Sequence, residues 1–497
     1  MNKVKNTIMN ISFIILFILF AIIIFCNCFY NKKLPSNITF FRLLLGIIIY
    51  GALSFLFYML YKKIKNKKMF FIIFFCIFFI IQCTFTYLFM VIPSWDYGIV
   101  FDAAKESVLG TKAMLSNWYF YMYPNNIGLG IFYKVIFLLF KILRFTSPFY
   151  LSGLLLINIL AIDISIFYTY KIIKTFIDKD ISMFLIMCMM FITPFITYCP
   201  IAYSDTLSMP FIISSLYYFI MYFIIKDQSK KNIILSIVLL GIGSIIKFSA
   251  CILLVAYIIY IIFMNKALLK KLIYVLIICF MFLITYFPVK LSEYMYLKPD
   301  VLKQKKMPIT HWIMMGLHED RISVGGYYEE DVSYTLSFNN TDLKREKNIE
   351  VIRQRLHNYR LNNDLIGFYL RKLIYVWGDG TFYAPNKLWL MPKRDYQIKN
   401  FITGSMYQTI TFRLFAQSEW IIILILFSLS LLFNKYLKEE QRKLLFISSI
   451  ITFGVILFFL IWEARSRYLI NVLPIIIINA SLGIIAIKNK IASKKVR

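Results

Sequence analysis

Pro93-Ser94-Trp95-Asp96-Tyr97-Gly98-Ile99-Val100-Phe101-Asp102-Ala103-Ala104-Lys105-Glu106 follows an apolar run over 69–92. A helix needs roughly 20 apolar residues to cross a bilayer, and that run supplies them. The chain therefore leaves the hydrocarbon near Pro93, with Asp96 and Asp102 at the exit. Trp95, Tyr97 and, further on, Trp118-Tyr119-Phe120-Tyr121-Met122-Tyr123-Pro124-Asn125-Asn126 surround the acids with residues that favour the membrane–water interface. A carboxylate pinned at that depth is the first candidate for chemistry, as base or metal ligand.

Working outward, 60% of the 497 residues are hydrophobic and the mean hydropathy is +0.72. Soluble domains are about 45–50% apolar, so the chain reads as an all-α polytopic membrane protein. The net charge of +30 does not call for nucleic acid, because Lys and Arg cluster between apolar runs, as in cytoplasmic loops. The eight cysteines lie in or beside apolar runs and read as small buried hydrophobes, not as a disulfide framework or a zinc site.

About twelve runs reach spanning length or close to it: 7–29, 39–61, 69–92, 149–171, 181–199, 205–226, 231–247, 249–264, 272–290, 419–437, 443–462 and 468–487. The basic loop Lys62-Lys63-Ile64-Lys65-Asn66-Lys67-Lys68 marks one side as cytoplasmic, and the basic stretches at 226–231, 266–271, 435–443 and 488–497 agree. With both termini inside, 93–126 faces out. Parity then allows only one crossing before the basic loop at 171–179. The run 127–145 is the one to demote, since Lys134, Lys141 and Arg144 give it a wet face, and it reads as a juxtamembrane helix. The expected organisation is an amino-terminal hairpin (1–68), a transmembrane core (69–290) with its first outer loop at 93–148, a large extracytoplasmic loop of short helices (291–418), and carboxy-terminal spans with a basic tail (419–497). Within the large loop, 341–361 is helical by pattern and 365–376 amphipathic.

That topology collects several outward candidates. Asp205, before an apolar run, is either a helix N-cap or a second acid approaching Asp96. Lys247 interrupts an apolar stretch (232–264) at the outward tip of a helical hairpin, placed to snorkel or to meet a phosphate. Glu463-Ala464-Arg465-Ser466-Arg467-Tyr468 puts two arginines beside a carboxylate, a pattern suited to a phosphate headgroup. His311 in the large loop is a candidate for binding sugar or acceptor. Asp102 and Glu106 share a face of the helix expected after Asp96.

These features resemble the GT-C-fold membrane glycosyltransferases, and within them the protein O-mannosyltransferase and aminoarabinose-transferase-like group. The resemblance rests on Trp95-Asp96-Tyr97, on Tyr119 to Asn126, on an acid in the second outer loop (Asp205) and on a lysine at a later outer hairpin (Lys247). It covers roughly 93–290 and is weaker beyond. Tyr97 stands where relatives carry the second acid of a pair, which leaves Asp102 or Asp205 as partner for Asp96.

The resemblance implies an inverting sugar transfer from a polyprenyl-phosphate carrier to a cell-envelope acceptor at the outer membrane face. Asp96, with Asp102 second, would be the base. Lys247, Arg465, Arg467 and Tyr468 would hold the carrier phosphate. Asp205, Tyr123, Asn125, Asn126, His311 and Glu463 would contact substrate. No cofactor is required, although Asp96 with Asp205 could hold a divalent cation. The competing readings are a transporter or flippase of lipid-linked saccharides, with charges deep in its spans, and a polysaccharide polymerase or ligase.

Overall fold

A computed structural model describes residues 2–29, 38–227, 229–264 and 266–495. It is an all-α bundle, 81% helical. The described residues hold no strand, only isolated bridges at Val91–Pro392 and Glu319–Val324.

Ten helices are long and apolar enough to cross a membrane, against the expected twelve. Three expected spans fall short and one helix enters the count. The stretch 181–199 breaks into Lys179–Met190 and Pro194–Thr197. Pro194 cannot donate to a continuing helix, and Thr193, freed at the break, donates its N–H and its hydroxyl to Glu419 Oε2, each at 3.0 Å. The stretch 232–264 folds at Lys247 into Lys230–Ile246 and Cys251–Ile262, both shorter than an ordinary span.

The helix that enters the count is Pro124–Ile142, within the run expected on the surface. Its contacts show how it lies. The helix Phe149–Phe176 runs from the Asp96 end of the bundle to the opposite end, where Gln441 donates to Phe176 O, 2.8 Å. The broken helix runs back, from the Lys67–Asp180 ion pair (2.6 Å) to the Gln82–Phe195 O hydrogen bond (3.1 Å). Ile127–Ile142 begins beside Tyr119 and ends where Phe140 packs on Tyr150, so it starts and finishes at one end of the bundle. Gly128 permits this lie. A Cβ there would sit 2.3 Å from Ile245 O, so the backbone of this helix rests directly on the hairpin that ends at Lys247.

Residues between Leu268–Tyr296 and Met406–Leu432 form a cap of short helices over that same end. Thr341–Leu361 is helical as its pattern predicts, and Leu365–Trp377 is the amphipathic helix. Lys372 lies on that helix but away from solvent. It is fully buried and donates to Gly316 O (2.5 Å), Leu460 O (3.0 Å) and Trp462 O (2.9 Å), tying cap to bundle. All eight cysteines are free, Cys199 fully buried and Cys76 exposed.

Candidate functional site

The helix Trp95–Leu109 starts in a tight elbow. Trp95 has φ 46°, in the left-handed region that costs a bulky residue about 1–3 kcal/mol. The elbow is closed by Gly98, where a Cβ would lie 2.7 Å from Pro93 O. It is also clipped to the cap: Ile92 N–H donates to Met391 O (2.7 Å) and Lys393 N–H to Met90 O (2.8 Å). The clip lays Lys387 over the Trp95 ring, 3.7 Å from its centroid.

Asp96, half-buried in this elbow, accepts a hydrogen bond from the Tyr119 hydroxyl. Tyr119 in turn accepts one from Asn126 Nδ2 at 2.5 Å. Burial pushes the Asp96 carboxyl above its ordinary range, opposed by the Tyr119 bond and by the charges of Arg467 and Lys387. Burial also pulls the Lys387 ammonium down to about 6, helped by Arg467 and Arg465 and opposed by Asp96 and Asp205.

Asp205, 2% exposed, lies at the other wall. Lys247 donates to its Oδ1, and Arg467 Nη1 stands 3.6 Å from its Oδ2. Lys247 reaches it by leaving the helix in an extended conformation, φ −146° and ψ 111°. The Arg467 guanidinium also sits over Tyr468 (4.9 Å) and Tyr203 (5.6 Å). Tyr468 donates to both Glu463 oxygens, 3.2 and 3.1 Å, and burial raises the Glu463 carboxyl. Arg465 donates to the Tyr383 hydroxyl. Tyr383 is fixed by Asp379, whose Oδ2 accepts the Tyr383 N–H (2.9 Å) and the Ser466 hydroxyl (2.7 Å).

Buried polar groups normally find partners. Here five buried atoms have no hydrogen-bond partner among the described residues: Ser94 Oγ, Trp95 Nε1, Asp205 Oδ2, and Nε and Nη1 of Arg467. They belong to the residues that surround Asp96. Two of these atoms, Asp205 Oδ2 and Arg467 Nη1, face each other as an ion pair at 3.6 Å, which leaves Ser94 Oγ, Trp95 Nε1 and Arg467 Nε as donors without a partner among the described residues. Such donors beside several cations suit a polar, anionic ligand.

Asp96, Asp205, Lys247, Arg465, Arg467, Glu463, Tyr468 and Asn126 thus come together. Tyr123 stands beside them, its ring 5.1 Å from that of Tyr119. Other expected site residues lie elsewhere. Asp102 is exposed on the outer face of its helix, beside Lys105 and Glu106, because six residues turn it away from Asp96. Asn125 is exposed and reaches only its neighbour Asn126. His311 is 1% exposed within the cap, its Nδ1 2.8 Å from Thr335 Oγ1, and burial lowers it to about 4. Tyr97 is fully buried in the core.

Asp205 Oδ1 is already taken by Lys247, and no group of three His, Cys, Asp or Glu among the described residues is arranged to hold a metal ion. Sequence reasoning missed Lys387, Tyr383 and Asp379. None of them had a local signal, since each reaches the site only through the fold of the cap.

No curated protein and no solved structure matches the chain. A family model does, over residues 1–487, and the chain accordingly belongs to the family described as conserved hypothetical integral membrane protein.

Proposed function

We propose that this protein is an inverting glycosyltransferase of the GT-C kind, moving a sugar from a polyprenyl-phosphate carrier to a cell-envelope acceptor at the outer face of the membrane. The observation that carries the reading is Asp96, a partly desolvated carboxylate set beside Arg467, whose guanidinium has an uncommitted donor in Nε, and beside Lys387. The outward orientation rests on the basic loops at the opposite end.

In the proposed step Asp96 takes the proton of the acceptor hydroxyl. The acceptor oxygen's electron pair forms a bond to the anomeric carbon from one face. The bond to the carrier phosphate breaks on the other face, and its electrons leave with the phosphate. A phosphate departs without a general acid, so one carboxylate suffices where a glycosidase uses two. Arg467, with Arg465 and Lys387, would receive the developing phosphate charge, the kind of preorganised donor set that contributes most to such transition states.

The test is sugar transfer by the reconstituted protein from labelled polyprenyl-phosphate sugars. Asp96→Asn is expected to lower the rate about 10²–10⁴-fold with membrane insertion intact. Transfer at the wild-type rate would remove Asp96 as the base.

One observation favours the transporter reading. Asp163 and Glu419 lie buried inside apolar helices, and Glu419 seals a broken helix, features found where substrates or ions pass. Movement of labelled lipid-linked saccharide across vesicles, with no sugar transferred, would decide for it.

A further inference from the structure

A second polar cavity lies in the cap, outside the Asp96 cluster. It measures about 480 Å³ and lies between Trp389, Asp395, Lys399, Thr403 and Ser405. Lys399 is 5% exposed, and its Nζ has no hydrogen-bond partner among the described residues. A buried ammonium without a partner is costly, and here it borders an open cavity. Ser405 opens the 27-residue helix Met406–Leu432 with a capping box, which satisfies the third N–H of that helix. The N–H groups of Met406 and Tyr407 remain at the positive end of the helix dipole. Around the cavity, Trp389, Ile398, Phe401 and Tyr407 are exposed at 67%, 54%, 48% and 78%. Aromatic and apolar side chains in that density, leading directly into an apolar helix, belong at the headgroup level of a bilayer.

We propose that this cavity binds the phosphate of a membrane phospholipid headgroup, with Lys399 and the start of Met406–Leu432 as its anion site. The acyl chains would run along the exposed apolar rim. Asp395 borders the cavity and its charge acts on Lys399, with no ion pair between them within 4 Å among the described residues, so it opposes a phosphate there and its removal should tighten binding. The proposal does not rest on the glycosyltransferase reading.

The test measures binding of phosphatidylglycerol to the delipidated full-length protein by native mass spectrometry. Diacylglycerol and inorganic phosphate serve as comparison ligands. Lys399→Met is expected to weaken phosphatidylglycerol binding about tenfold or more, and Lys399→Arg to keep it. Asp395→Asn is expected to tighten it severalfold, a gain that a misfolded variant cannot produce. Asp96→Asn should leave it unchanged, which separates this site from the other. Equal binding by wild type and Lys399→Met, or by diacylglycerol and phosphatidylglycerol, would overturn the proposal. Displacement of the lipid by millimolar inorganic phosphate alone would overturn the lipid as its occupant.

Discussion

Asp205 serves two buried cations at once, and the price of removing either partner is calculable. Lys247 is 12% exposed, Arg467 9% and Asp205 2%, so solvent screens none of them effectively. Breaking one partner of a buried ion pair costs about 3–5 kcal/mol, because the remaining charge stays buried. At about 1.4 kcal/mol per decade, local opening should become roughly 100- to 4,000-fold more frequent. Lys247→Met leaves Asp205 with Arg467 at 3.6 Å, which sets the lower end of that range. Asp205→Asn strips both cations of this carboxylate and sets the upper end. The assay is amide hydrogen exchange of Leu207 and Ser208, which donate to Tyr203 O (3.1 Å) and Ser204 O (3.2 Å) beside the pair. Exchange should quicken in both variants and more in Asp205→Asn. A rise below tenfold in both, or a larger rise in Lys247→Met, would refute this account of Asp205 as the shared counter-ion.

Three further outcomes follow from the site and its cap. Lys387 holds its proton only to about pH 6, so binding of an anionic donor should take up a proton and weaken about tenfold per pH unit above that. Lys387→Met should abolish this slope, as read by donor titration between pH 6 and 8. Tyr119→Phe removes a hydrogen bond that holds the Asp96 carboxyl down, so the acidic limb of the activity profile should move to higher pH. His311 is lowered from 6.5 to about 4. An unfolded cap therefore takes up a proton between pH 6.5 and 4 while the folded cap does not, and stability should fall by about 3 kcal/mol as pH drops through that window. Limited proteolysis of 299–405 at pH 7 and pH 4.5 should show the loss, and His311→Gln should flatten it. Asp331, held below its ordinary range, acts only at lower pH.

Much of the bundle could be read in advance because apolar runs report directly on membrane crossing. Counting crossings also placed Asp96, Asp205, Lys247 and Arg467 at one end, where the structure brings them together. Parity demoted 127–145, whereas Pro124–Ile142 is long and apolar enough to cross a membrane. The broken helix at Phe191–Thr193 was hidden, because its repair comes from Glu419, over two hundred residues away. Lys387 was hidden for a similar reason. A lysine in a long polar loop has no local mark, and only the Met90–Ile92 clip to Met391–Lys393 lays it on Trp95. The burial of Lys372 was hidden too, because the three carbonyls that enclose it come from elsewhere in the fold. His311 and Asp102 show the limit of residue type as a guide. One became a core histidine, and the other faces solvent.

The shared counter-ion also imposes an order on biogenesis. Lys247 follows Asp205 by 42 residues, so the two can meet while the chain is still being made. Arg467 emerges roughly 220 residues later, on the order of 10–45 s at ordinary rates of synthesis. Through that interval the nascent bundle holds a neutralised Asp205–Lys247 pair, and Asp96 gains Lys387 of the cap before it gains Arg467 of the last span. The cation-lined pocket is thus completed last, and a ribosome-bound chain that stops short of Glu463 would lack both of its arginines.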